Sequence, residues 1–304
     1  MQETITIVSI GKHTRLGDVL ERAVNGLAFE TVDAANLSGE GWGGKRLLFA
    51  VSTDVYGVNE ALDALIARML RKECDLTGSV CAAVLDAVQS GETHAGLLRL
   101  LLAANGAGCT LMNHPCVEAG RDMKSIPLMY GGGRGAPFVL YARAVRALTE
   151  RLAGFVPAEH AKKRVRFVSA LESEGTSREW RTALERVPAQ NGGAFVRDDE
   201  KADTTLLLAE NTGNLPDETT LRALDDPRGG ALRCILASPW FGAELFCMLV
   251  LERACLQGTF YLPPGAFTVL EGVSAAEAVL SRRDWEKVRR TLRALCPNPD
   301  RGSG

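Results

Sequence analysis

The chain has 304 residues, with 46% apolar and 24% charged side chains and a formal net charge of −2. That length predicts one large domain or two of about 150 residues, and the interspersed acids and bases leave no electrostatic footprint for nucleic acid or an anionic membrane. No run of about 18 or more apolar residues is present, and "MQETITIVSIG" lacks the basic start and small-residue cleavage site of a signal peptide, so a cytoplasmic protein without a membrane span is expected.

Strands and helices alternate along the chain. "TITIVSI" (4–10) is a β-branched run, and the next segment places Leu16, Val19, Leu20, Ala23, Val24 and Leu27 on one helical face. "FETVDA" is a short strand, and the Gly-rich "SGEGWGG" leads into the strand "RLLFAVS" (46–52). Val58, Ala61, Leu62, Leu65, Ile66 and Met69 then recur at helical spacing. "SVCAAVLDA" (79–87) is nearly continuous in apolar residues, as a parallel strand covered on both faces must be. A helix over 95–105, a strand "GCTLMN" (108–113), an irregular stretch over 116–138 and the helix "LYARAVRALTERLAGF" complete the first half. "VPAEHAKKR" (156–164) reads as an exposed polar linker.

The pattern then restarts. "VRFVSAL", "GAFVRDDE", "TTLLLAE", "LRCILAS" and "TFYLPP" read as strands. "TSREWRTALERV", capped at Thr176 or Ser177, "DETTLRALDD", "GAELFCMLVLERACLQG" and "RRDWEKVRRTLRAL" read as helices. The two halves share one element order, and "VSIGKHTRLGDVLERAV" parallels "VSALESEGTSREWRTALERV". We therefore expect an internal duplication. It comprises two doubly wound α/β domains, over 1–157 and 163–296, each a five-stranded parallel sheet in the order 2-1-3-4-5. The tail from Cys296 is expected to be disordered.

Eight cysteines occur, at 74, 81, 109, 116, 234, 247, 255 and 296, with no C-x-x-C pair. Cys81, Cys109, Cys234 and Cys247 lie in apolar runs, where a free thiol packs as a small hydrophobe, and reduced cysteines are expected.

In an open parallel sheet, ligands bind beyond the carboxyl ends of the strands. In the first half the loops there are "GKHTRLG" (11–17), "TDVYGVN" (53–59), "VQSGETHAG" (88–96) and "NHPCVEAG" (113–120). The first has the chemistry of a phosphate cradle: Gly11 permits close backbone approach, and Lys12, Thr14 and Arg15 offer charge and donors before a helix start. It is neither a Walker A loop nor G-x-G-x-x-G, and a solvated basic turn is the bland alternative. Tyr56 beside Gly57 suits stacking on a flat ring, or else covers the sheet edge as a turn residue.

The half from residue 4 to 155 resembles the flavodoxin-like fold, and most closely the NAD(P)H-dependent FMN reductase group. "VSIGKHTRLGDVLERAV" stands in the place of that group's phosphate loop, "FAVSTDVYGVNEALDALIARM" resembles its third strand and ring-contacting loop, and "AAVLDAVQSGETHAGLLRLLLAANGAGCTLMNHP" its fourth strand, Gly-rich loop, helix and fifth strand. The resemblance implies bound FMN, with Lys12, Thr14 and Arg15 on its phosphate. Thr53, Tyr56, Gly57 and Asn59 would flank the ring, with Ser90, Gly91 and Thr93 on another side. It implies NAD(P)H as electron donor and a quinone, flavin or other small molecule as acceptor, with no residue required as a nucleophile. It also implies a homodimer, unless the second half occupies the partner surface. The first loop departs from the group's pattern in lacking a Gly-Ser start, and Thr53 stands where proline is usual.

The second half is poorer in such loops. Glu172 and Glu174 would repel phosphate, and Trp240 and Phe241 beside Gly242 are either a ring platform or core. It reads as a degenerate copy, and the alternative for the whole chain is a non-catalytic tandem scaffold for protein contacts. His13, His94 and His114, with Asp54, Glu92 and Cys116, fall in loops expected at one sheet edge. They show no metal-ligand spacing, and no metal is expected.

Overall fold

The computed structural model describes residues 4–11, 15–37, 39, 41–53, 59–87, 94–119, 137–157, 164–171, 173–190, 194–196, 202–213, 216–225, 229–239 and 242–295. The chain divides into two compact units, Met1–Val156 and Pro157–Gly304. "VPAEHAKKR" lies largely outside the described residues.

The first unit runs β1 (Ile5–Ile10), α1 (Arg15–Ala23), β2 (Phe29–Asp33), a 3-10 turn (Ala34–Asn36), β3 (Arg46–Ser52), α2 (Glu60–Leu70), β4 (Val80–Asp86), α3 (His94–Gly106), β5 (Thr110–Ala119) and α4 (Pro137–Gly154). Its sheet is parallel, in the order β2-β1-β3-β4-β5. The side chains of β4 are buried at every position, because helices cover both faces of a central parallel strand. On one face Leu16, Val19 and Leu20 of α1 meet Tyr141, Val145, Leu148 and Leu152 of α4 over Ile5, Ile7, Leu48 and Val84. On the other, α2 packs beside α3 and buries Leu62, Leu65, Ile66 and Met69. Each such leucine contributes on the order of 2 kcal/mol by leaving water.

β5 corrects the expected strand end at Asn113. Between the pairs Cys81↔Leu111 and Ala83↔Cys116, β4 advances two residues (81 to 83) and β5 five (111 to 116), so three residues bulge out. His114 turns the bulge at φ 47°, and Arg151 of α4 donates to its carbonyl at 3.0 Å. Pro115 is tolerated because a bulge needs no ladder donor there. The strand resumes and carries "CVEA" to the carboxyl edge.

The second unit runs β6 (Arg164–Ala170), α5 (Glu174–Gln190), β7 (Ala194–Val196), β8 (Thr204–Glu210), α6 (Glu218–Leu224), β9 (Gly230–Ser238), α7 (Ala243–Leu251), a π-helical turn (Glu252–Leu256), β10 (Phe260–Tyr261), β11 (Phe267–Glu271), α8 (Ala275–Leu280) and α9 (Arg282–Leu295). The order is β7-β6-β8-β9, with β10 along Gly230–Ala231 and β11 along Cys234–Ser238 of the same strand. The 2-1-3-4-5 order therefore holds, but the fifth position is split in two. "LPPGA" interrupts it, where the single strand "TFYLPP" was expected. β11 and α8 were missed; α8 opens with a capping box between Ser274 and Glu277. Ser173, rather than Thr176 or Ser177, caps the start of α5, its Oγ accepting the Thr176 N–H at 3.2 Å. Trp180, fully buried, donates from Nε1 to the Ala275 carbonyl at 2.9 Å and meets the Trp285 ring at a centroid distance of 5.6 Å.

No helix among the described residues is long and apolar enough to cross a membrane.

Candidate functional site at the carboxyl edge of the first sheet

From β1 the chain moves outward to β2 on one side and to β3 on the other. The crevice of a doubly wound sheet lies above the carboxyl ends of the two strands where the order reverses, which here are β1 and β3. Gly11, Thr53 and Asn59 stand there.

Asn59 is the strut of this edge. Its Nδ2 donates to the Ser52 carbonyl at 2.6 Å and the Ile10 carbonyl at 3.3 Å, tying the end of β3 to the end of β1. Its Oδ1 accepts the Leu62 N–H at 3.0 Å and caps α2. The expected ring-flanking residue thus spends its amide on the scaffold. Gly11 fits the same joint. It sits at φ +90°, and a Cβ there would lie 2.7 Å from Asn59 Nδ2 and 2.8 Å from the Ser52 carbonyl oxygen. What crowds this glycine is the strut.

Thr53 follows β3 and donates its backbone N–H to the Asp86 carbonyl at 3.1 Å, extending the ladder by one rung. Its side chain is buried, and Oγ1 has no hydrogen-bond partner among the described residues. Across the edge, His94 opens α3 and Glu118 closes β5. Nδ1 of His94 lies 2.6 Å from Oε1 of Glu118, and the two side chains are 27% and 13% exposed.

Of the other expected site residues, Lys12, Thr14, Tyr56, Gly57, Ser90, Gly91 and Thr93 lie outside the described residues, and Arg15 is described only as the first backbone residue of α1. His13, Asp54 and Glu92 also lie outside them. The expected histidine cluster is corrected for two of its members. His114 sits in the β5 bulge, and Cys116 is buried within β5 opposite Ala83. Among the described residues no group of three His, Cys, Asp or Glu side chains could hold a metal. Glu118 was missed because the strand was ended too early; continued through Pro115, the alternation of "CVEA" brings it to the sheet edge. The described cysteines are buried. Burial pushes the Cys109 and Cys234 thiols well above their ordinary range and Cys247 up to about 12, which leaves them inert as nucleophiles.

The same edge in the second unit is built differently. Asn211 stands after β8 as Thr53 does after β3, donating its N–H to the Ala237 carbonyl at 2.8 Å. Its side-chain Nδ2 also donates to Ser238 Oγ at 3.2 Å. Leu171 takes the place of Gly11, and Ser169 and Ser177 bond to each other at 2.8 Å. Asp217 caps α6 through Thr220 N–H at 2.6 Å. A carboxylate has no donor with which to repeat the strut made by Asn59. Trp240, Phe241 and Glu172 lie outside the described residues.

No protein-family model and no curated protein matches the chain. Solved structures offer partial likenesses. A point mutant of the Fusobacterium nucleatum flavodoxin, bound to flavin mononucleotide, aligns with 50% of this chain and 95% of its own at 16% identity and a TM-score of 0.35. The catalytic subunit of cobaltochelatase from Mycobacterium tuberculosis aligns with 78% of this chain and 21% of its own at 14% identity and a TM-score of 0.23. The fold is flavodoxin-like. That assignment rests on the parallel 2-1-3-4-5 order and the helices on both faces.

Proposed function

We propose that the first unit binds FMN non-covalently above the carboxyl ends of β1 and β3, and that the protein is a cytoplasmic NAD(P)H-dependent oxidoreductase reducing a quinone, flavin or other small acceptor. The observation that carries this reading is the Thr53 hydroxyl, buried at the switch point with no hydrogen-bond partner among the described residues. A buried hydroxyl left unsatisfied costs about 1–3 kcal/mol, a cost that a ligand acceptor or donor at this crevice removes. The residues fit the group. Thr53 offers a hydrogen bond toward the ring. Lys12, Thr14 and Arg15 bring cationic and hydroxyl donors to the start of α1, where a helix N-terminus favours a phosphate. Tyr56, Gly57, Ser90, Gly91 and Thr93 belong to the two loops that would flank the ring. Asn59 acts one step removed, holding β1 and β3 at the spacing the crevice needs.

FMN, when bound, supplies the hydride and electron chemistry, and the chain supplies orientation, exclusion of water and charge. The second unit is read as scaffold, since Glu172 and Glu174 stand in its first loop and would repel a phosphate there. A second copy of the chain is the proposed macromolecular partner, to be read from solution mass by light scattering.

Titration of FMN into the whole chain, followed by flavin fluorescence, tests the reading. Saturable quenching is expected. Arg15→Glu should weaken binding through phosphate repulsion, and Tyr56→Ala should alter the flavin spectrum more than the affinity. An unchanged flavin signal across the titration overturns the flavin reading and leaves the tandem scaffold.

A further inference from the structure

We propose that Arg233 anchors a separate binding site for a small oxyanion at the break in the second sheet, its guanidinium taking a carboxylate or phosphate group side-on. The inference is independent of the FMN reading. The register of β10 along β9 ends at Ala231 and that of β11 begins at Cys234, so Leu232 and Arg233 stand where the fifth position is interrupted. "LPPGA" spans the interruption with two residues that lack an N–H, and its exposed Gly265 turns at φ +58°. The Arg233 side chain reaches this loop, where Nη1 donates to the Gly265 carbonyl at 3.2 Å.

A guanidinium carries five N–H donors and a permanent charge, so one this far from water is ordinarily held by a carboxylate. Arg233 is only 7% exposed, and among the described residues the Gly265 carbonyl is its one acceptor. The same chain shows what its other arginines do with the Nε–Nη2 edge. Arg253 grips Asp225 through Nε at 2.5 Å and Nη2 at 2.6 Å, and Arg71 grips Glu73 through Nε at 2.6 Å and Nη2 at 3.2 Å. On Arg233 that edge holds nothing among the described residues, yet it is not sealed. Nε and Nη2 are not among the side-chain nitrogens that lie shut off from solvent without a partner. Burial pushes the pKa of Arg233 down to about 10, which leaves it charged at neutral pH, and Tyr261 raises it. With Nη1 tied to the loop, the two parallel N–H groups of the other edge are pre-oriented for the oxygen pair of a carboxylate or phosphate. Arg233 lies in the amino half of β9, whereas Glu174 starts α5 beyond the carboxyl end of β6, so that acid is not part of this site.

The test titrates the whole chain with inorganic phosphate and, separately, with acetate, each exchanged for chloride at fixed ionic strength. The readout is the Nε–H resonance of Arg233 in protein with nitrogen-labelled arginine, assigned through its bonded connection to the Arg233 backbone. It should shift saturably with at least one of the two anions, and the tighter-binding one names the group the site takes. The thermal unfolding midpoint should rise with the same anion. Arg233→Lys keeps the charge but loses the fork and should weaken that anion about tenfold, read from the midpoint series. Arg233→Met should abolish the effect. A resonance that stays put through both titrations, or a midpoint that rises equally in the parent and in Arg233→Lys, overturns the site and leaves Arg233 as a tie to the Gly265 loop. The resonance is read in the unsubstituted chain, so the result stands whether or not a variant folds.

Discussion

The two sheets repeat one strand order, yet their carboxyl edges are finished in opposite ways. In the second unit the residue after the third strand, Asn211, turns its side chain to Ser238. In the first, Thr53 occupies the same place and its buried hydroxyl has no hydrogen-bond partner among the described residues. In the second unit Asp217 caps its helix; in the first, Asn59 caps α2 and also ties β1 to β3. The difference teaches that a fold alone does not make a site. One edge is braced by the Asn59 amide between β1 and β3 beneath the point where the strand order reverses, while the other has a carboxylate, Asp217, at the corresponding helix start.

Substitutions at these positions sharpen or break that contrast, and the largest effect is expected at Gly11. Gly11→Ala forces a side chain into a left-handed backbone and against Asn59 and Ser52, so the first unit should lose about 3 kcal/mol in urea unfolding followed by circular dichroism. Asn59→Asp keeps the cap but removes the donor to two carbonyls and should cost about 2 kcal/mol by the same measurement. A full-strength Asn59→Asp protein would show that the strut holds nothing. Asn211→Ala should cost the second unit about 1–2 kcal/mol through the lost bond to Ser238. Thr53→Val is the smallest change and the most telling. It should leave the ligand-free protein as stable or up to about 1 kcal/mol more stable, while weakening FMN about fivefold. A clear loss of stability in the ligand-free Thr53→Val protein would mean that the hydroxyl serves the fold.

Most of this architecture was legible in the sequence, because burial on both faces leaves a plain signature. "RLLFAVS" and "TTLLLAE" are strands over the residues the pattern marked, and "RRDWEKVRRTLRAL" is the closing helix. The failures share a physical cause, which is a strand that resumes beyond an interruption. The strand expected to end at Asn113 continues past a bulge and carries Glu118 to the sheet edge. The prolines of "LPPGA" split the fifth strand of the second sheet, and the half beyond them, β11, went unread. Asn59 was legible as a polar residue before a helix, but its tie between two strands is a long-range contact that no local pattern records. The partnerless hydroxyl of Thr53 is likewise a property of its packed surroundings.

The asymmetry of the two edges is tested most directly by the stoichiometry of FMN binding to the whole chain, read by equilibrium titration of flavin fluorescence against protein of known concentration. The predicted result is one FMN per chain, with Thr53→Val weakening it and Asn211→Ala leaving it in place. Two FMN per chain, none, or a single one whose affinity follows Asn211 instead of Thr53 would contradict the assignment of the site to the first unit.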